Sequence, residues 1–140
     1  KKMNTSKKYF KFSDAWVFTS LYMYDSKFKK INLTNIIANG DALNHSIFEI
    51  EELKSAFTKL VEFDLIEIEN DLIRLTEKGC QIKEKAENDK GGLFQKNENI
   101  LKRINSVSTL KINHKLLEES KFDFLNEKNF ETSCENYTKL

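Results

Sequence analysis

Residues 49–79 read EIEELKSAFTKLVEFDLIEIENDLIRLTEKG, and the hydrophobic period changes along them. Leu53, Ala56, Phe57, Leu60 and Val61 recur at i, i+3, i+4, i+7 and i+8, the spacing of one helical face, while Glu52, Lys54, Ser55, Lys59 and Glu62 take the other. The period then becomes two. Ile66 and Ile68 alternate with Glu67 and Glu69, Ile73 and Leu75 flank Arg74, and Asn70-Asp71 between them is a two-residue connection tolerant of positive φ. A helix running directly into a β-hairpin is expected, so the predicted class is mainly α with a small β-hairpin (α+β).

Working outward toward the N-terminus, Ser13 is a candidate cap for a helix over about Asp14 to Asp25 that carries Ala15, Trp16, Val17, Phe18, Leu21, Tyr22 and Met23. So much aromatic surface must be covered, which makes Trp16 a core anchor packed against the helix around Phe57. Ile31 to Leu33 is expected to add a short strand beside the hairpin. Asn32 or Thr34 then caps a second helix, about Asn35 to His45, that buries Ile36, Ile37 and Leu43. Gly40 inside it costs about 1 kcal/mol relative to alanine, a sign of close packing. Toward the C-terminus, Thr76 caps a helix reaching about Glu87, and Gly91-Gly92 is the clearest linker signal. Leu93 to Ile104 reads as an amphipathic helix, Val107 to Leu117 as strand or loop, and Asn126 as the cap of a last helix with Phe130, Cys134 and Tyr137 along one side. The expected organisation is a basic arm (1–12), a central unit (13–90) and a helical extension (91–140) that either docks on the core or dimerises.

The chain has 140 residues, 39% of them apolar, enough for one core. Its 23 basic and 22 acidic residues nearly cancel, so any electrostatic argument is local. Cys80 and Cys134 stand apart without a metal-ligand pattern and read as free thiols, and no apolar run has the length of a membrane span. A cytoplasmic location without a membrane partner is expected. Asp41 and His45 share a helical face at i and i+4, but two ligands without a third make no metal site. No phosphate-binding glycine loop, nucleophile elbow or paired-carboxylate arrangement occurs, so neither catalysis nor a cofactor is expected.

The run IIANGDALNHSIFEIEELKSAFTKLVEFDLIEIENDLIRLTEKG, residues 36–79, resembles the winged helix-turn-helix superfamily of bacterial regulators. The order of leucine-rich helix, Leu-Ile hairpin and Leu-Thr-Glu-Lys-Gly is similar to its recognition helix, wing and following helix. The segment Asp41-Ala42-Leu43-Asn44-His45 also resembles a group of small uncharacterised bacterial winged-helix proteins. The resemblance covers about Ser13 to Glu87. It implies a transcriptional regulator, commonly a homodimer, that places its third helix in the major groove of double-stranded DNA and its wing against the backbone.

Groove insertion requires donors for base edges and cations for phosphates. Candidates are Lys54, Ser55, Thr58 and Lys59 on the helix, Arg74 on the wing, and Lys7, Lys8 and Lys11 in the arm. Against them stand nine acids between Glu49 and Glu77, set against only Lys54, Lys59 and Arg74, a local charge of −6. Residues 1–30 carry the opposite excess, eight lysines against Asp14 and Asp25. Two readings follow. In one, the chain binds DNA, with the arm as a route to the phosphates. In the other, Glu49, Glu51, Glu52, Glu62, Glu67, Glu69 and Asp71 form a face that recruits a protein partner.

Overall fold

The helix at the centre of the quoted stretch owes its placement to both of its ends. In the computed structural model, which describes residues 10–22, 30–89, 93–108 and 124–139, α3 spans Ile50–Glu62 and buries Leu53, Ala56, Phe57 and Leu60. At its start the Glu49 amide donates to Glu52 Oε1 at 2.8 Å, and Glu51 and Glu52 lie at the positive end of the helix dipole. At its end the Leu65 amide bonds the Leu60 carbonyl and the Asp64 amide bonds that of Val61, with Asp64 in the left-handed region (φ 60°). That is a Schellman closure with Asp in the position usually given to glycine. It reverses the chain at once, so β1 (Ile66–Glu69) and β2 (Leu72–Leu75) follow without a loop.

The two strands are antiparallel, with Glu67 opposite Arg74 and Glu69 opposite Leu72 around the Asn70-Asp71 turn. Asn70 takes the positive φ such a turn demands (60°). Ile31 adds an isolated antiparallel bridge on the other side of β2, through amide-to-carbonyl bonds of 2.8 and 2.9 Å exchanged with Ile73. The strand expected at Ile31 to Leu33 is thus a single bridged residue.

Thr76 joins three elements. Its amide reaches the Leu65 carbonyl, its hydroxyl donates to the Asp64 carbonyl at 2.6 Å, and the same oxygen accepts the Gly79 amide at 3.0 Å to cap α4 (Glu77–Glu87). A Cβ on Gly79 would lie 2.2 Å from the Leu65 carbonyl oxygen, so only glycine lets α4 close on the end of α3.

The first helix, α1 (Phe12–Ser20), is the centre of the core, with every residue from Asp14 to Ser20 buried. It begins earlier than the Ser13 cap predicts because the Asp14 carboxylate turns back to accept the Lys11 amide at 2.8 Å, which makes Lys11 the cap residue. It ends at Leu21, after the Thr19 and Ser20 hydroxyls have bonded the carbonyls of Ala15 and Trp16, and the expected span from Met23 to Asp25 lies outside the described residues. The second helix, α2 (Leu33–Asn44), is capped by Asn32 rather than Thr34. Gly40 lies under the ring of Phe48 and its carbonyl accepts the Trp16 indole N–H at 2.9 Å, the close packing its presence predicts. Trp16 and Phe48 meet beside it as a tilted pair with centroids 4.0 Å apart.

The last two helices return to this core. Ile100 and Ile104 of α5 (Leu93–Ser108) are fully buried, and Asn105 clamps the backbone of Phe10, accepting its amide at 2.9 Å and donating to its carbonyl. Leu125 is buried ahead of α6 (Glu127–Thr138), which packs on α2. Phe130, Cys134 and Tyr137 face inward along one side of α6, as their spacing predicts, and the Tyr137 hydroxyl donates to Asp41. No described helix is long and apolar enough to cross a membrane.

Candidate functional site

The surface that α3 and the hairpin turn to solvent is where the resemblance directs attention, and its charges are arranged by the fold itself. Lys59, in the last turn of α3, does not reach solvent as an open cation. Its Nζ lies 2.9 Å from Asp14 Oδ2, with 14% of the lysine side chain exposed and 1% of the aspartate. The same oxygen accepts the Lys11 amide, so one carboxylate starts α1 and anchors α3 to it. Asp14 Oδ1 has no hydrogen-bond partner among the described residues. A buried charge of this kind tolerates its partner's removal poorly.

On the hairpin, Arg74 Nη2 sits 2.8 Å from Glu67 Oε1 directly across the ladder. Lys30, next to the bridged Ile31, pairs with Glu69 of β1, and that hydrogen bond, reinforced by its charge, holds the Glu69 carboxyl below the usual carboxylate range. Lys30, Glu67, Ile68, Glu69, Leu72 and Arg74 line a hollow of about 220 Å³ on this face. The side chain of Lys54 is half-buried, and the Thr58 hydroxyl is spent on the Lys54 carbonyl at 2.8 Å. Ser55 is exposed.

Two of the five basic and hydroxyl candidates on α3 and the wing are therefore committed to intramolecular ion pairs, and a third to the helix backbone. The acids divide differently. Glu49, Glu51 and Asp71 are exposed and have no cationic partner among the described residues, Glu52 caps the helix, and Glu62 is half-buried. Lys11 is exposed at the start of α1, while Lys7 and Lys8 lie outside the described residues.

Compared with models of known families, with curated proteins and with solved structures, the chain matches none. The surface must be read from its own chemistry.

Elsewhere the candidates resolve into structural roles. His45 takes the left-handed cap position of α2 (φ 53°) and its amide closes on the Asp41 carbonyl at 2.7 Å. Asp41 receives Tyr137, and no cluster of three or more potential metal ligands occurs among the described residues. Cys80 is buried in the core and Cys134 is half-buried on the inward side of α6, where burial raises its thiol pKa. Sequence reasoning missed the role of Asp14, because a carboxylate in the first turn of a helix already has an ordinary explanation in the dipole. No local signal marks its partner, which lies 45 residues away.

Proposed function

We propose that this chain is a non-catalytic winged-helix protein whose α3 and wing face captures a basic segment of a protein partner. The topology supports the winged-helix part of the reading: helix, bridged residue, two helices, then a hairpin, with Ile31, β2 and β1 side by side. The observation that carries the functional part is the disposition of charge. On the face where a DNA reader needs open cations, Lys59 is bound to Asp14 and Arg74 to Glu67, while Glu49, Glu51 and Asp71 face solvent. Phosphates would meet net negative charge there, and a lysine-bearing partner would find attraction.

A DNA-binding regulator is the second reading, favoured by the family resemblance and by the exposed Lys11 next to Lys7 and Lys8. Free thiols at Cys80 and Cys134 suit a reducing, cytoplasmic setting for either. Fluorescence anisotropy with mixed duplex DNA and with a lysine-rich peptide, each at two salt concentrations, separates them. Salt-sensitive capture of the peptide and no binding of duplex at low salt is expected. Tight duplex binding that falls steeply with salt and is lost when Lys7, Lys8 and Lys11 become alanine would reverse the assignment to the regulator.

A further inference from the structure

Between the start of α2, the hairpin turn and one side of α6 lies a hollow of about 300 Å³ whose lining carries hydrogen-bonding groups the fold leaves unused. Asn129, Thr132, Ser133 and Asn136 line it at i, i+3, i+4 and i+7, a single face of α6. A helix face that is merely solvated is ordinarily charged, as α6 is at Glu127, Lys128, Glu131 and Glu135, none of which lines the hollow. This face instead holds Asn, Ser and Thr, which form helices poorly because their side chains compete for the backbone. Asn129 does so, donating to the Phe124 carbonyl at 2.7 Å, but its neighbours do not. Thr19, Ser20 and Thr58 each donate to the carbonyl four residues back, whereas the Thr132 and Ser133 hydroxyls and the Asn136 amide have no side-chain hydrogen bond among the described residues. At the start of α2, Asn32 has spent its oxygen on the Asn35 amide and keeps its NH2 group, and the Thr34 hydroxyl is likewise without a partner among the described residues.

We propose that this hollow binds a neutral, polyhydroxylated ring, the chemistry of a monosaccharide. Side-chain hydroxyls and amides both donate and accept, which matches a ring of hydroxyls that do the same. Leu33 and Phe124 add an apolar patch for the C–H bonds of such a ring, and Phe124 is itself stacked on Phe57 with centroids 6.3 Å apart. The single charge in the lining is the exposed carboxylate of Asp71, an acceptor for two neighbouring hydroxyls. No cation lines the hollow among the described residues, so a phosphate or carboxylate ligand would meet Asp71 without a counter-charge. The volume, at the small end of the range for small-molecule sites, holds one ring rather than a nucleotide. The proposal goes beyond the acidic-face reading and does not rest on it, since sugar binding and peptide capture can each fail alone.

The probes are D-glucose, D-galactose, D-mannose and D-ribose, titrated singly into the full chain and followed by amide chemical shifts, with glucose 6-phosphate and cadaverine as the anionic and cationic controls. At least one sugar is expected to give saturable shifts at Thr34, Asp71, Thr132, Ser133 and Asn136, and glucose 6-phosphate to bind no more tightly than glucose. Thr132→Val together with Ser133→Ala removes two hydroxyls at nearly constant shape, and should weaken that sugar by about tenfold while near-UV dichroism of Trp16 is unchanged. Thr132→Ser, which keeps its hydroxyl, should bind as the parent does. Four sugars that leave these amides unmoved would overturn the proposal, and so would a sugar that shifts them equally in the parent and the double variant. Tighter binding of glucose 6-phosphate than of glucose, or shifts produced by cadaverine alone, would replace the neutral ring with a charged ligand and overturn it as well.

Discussion

Asp14 and Lys59 show how much one side chain can be asked to do. Asp14 is buried, accepts an amide from the turn before α1, and holds the ammonium of a lysine on α3. Truncating Lys59 to alanine leaves that carboxylate buried without its counter-charge, and the expected cost is about 3–5 kcal/mol in the urea-denaturation free energy. Lys59→Met combined with Asp14→Asn removes both charges together and should recover most of the loss, since a buried ion pair often contributes little net stability. Gly40→Ala is a packing test at the same scale: its Cβ would come within 2.2 Å of the Phe48 ring, and overpacking of this kind costs about 1–3 kcal/mol. Gly40 was legible in the sequence as a site of close approach, whereas the ring that approaches it was not, because Phe48 belongs to the connection between two helices.

Among the elements, α3 and the hairpin were the most legible, since periods of 3.6 and two residues leave few alternatives and Thr76 to Gly79 mark the next start. The docking of the later helices was not. The inward side of α6 could be drawn from Phe130, Cys134 and Tyr137, yet nothing in their spacing names α2 as the receiving surface. Tyr137→Phe should therefore loosen α6 without unfolding the core, and limited proteolysis is expected to cut α6 faster than in the parent while near-UV dichroism of Trp16 is retained. A second junction carries a pH signature. Arg103 on α5 grips Asp89 through two bonds of 2.7 and 3.1 Å, and that hydrogen bond holds the Asp89 carboxyl below its ordinary value. A carboxylate with a depressed folded-state pKa stabilises fully above its unfolded value of about 4 and loses that contribution as the pH falls through the folded one. Urea midpoints compared at pH 7 and pH 2 should show a smaller acid loss in Asp89→Asn than in the parent.

At the level of the whole molecule, a formal charge of +1 conceals a division between a lysine-rich start and an acidic α3 and wing. This division could be counted from the sequence, but which charges remain open could not, because Asp14, Glu67 and Lys30 find their partners only in the fold. Reversing the exposed Glu51 and Asp71 to lysine avoids both the helix cap and the ion pairs. The pair is expected to weaken capture of a lysine-rich peptide by about tenfold, or ~1.4 kcal/mol, with an unchanged thermal midpoint by circular dichroism. Capture that persists at full strength would move the binding surface off this face.

The clamp between Asn105 and the Phe10 backbone spans 95 positions of the chain, and it sets an order of events during synthesis. The first helix is made long before Asn105 and cannot complete its packing against α5 until Asn105 has left the ribosome. At about 5–20 residues per second the wait is roughly 5–20 s, during which the side of α1 that meets α5 stays uncovered. A nascent chain paused before residue 105 should accordingly be a client of the ribosome-bound chaperones, and one paused well beyond it should not.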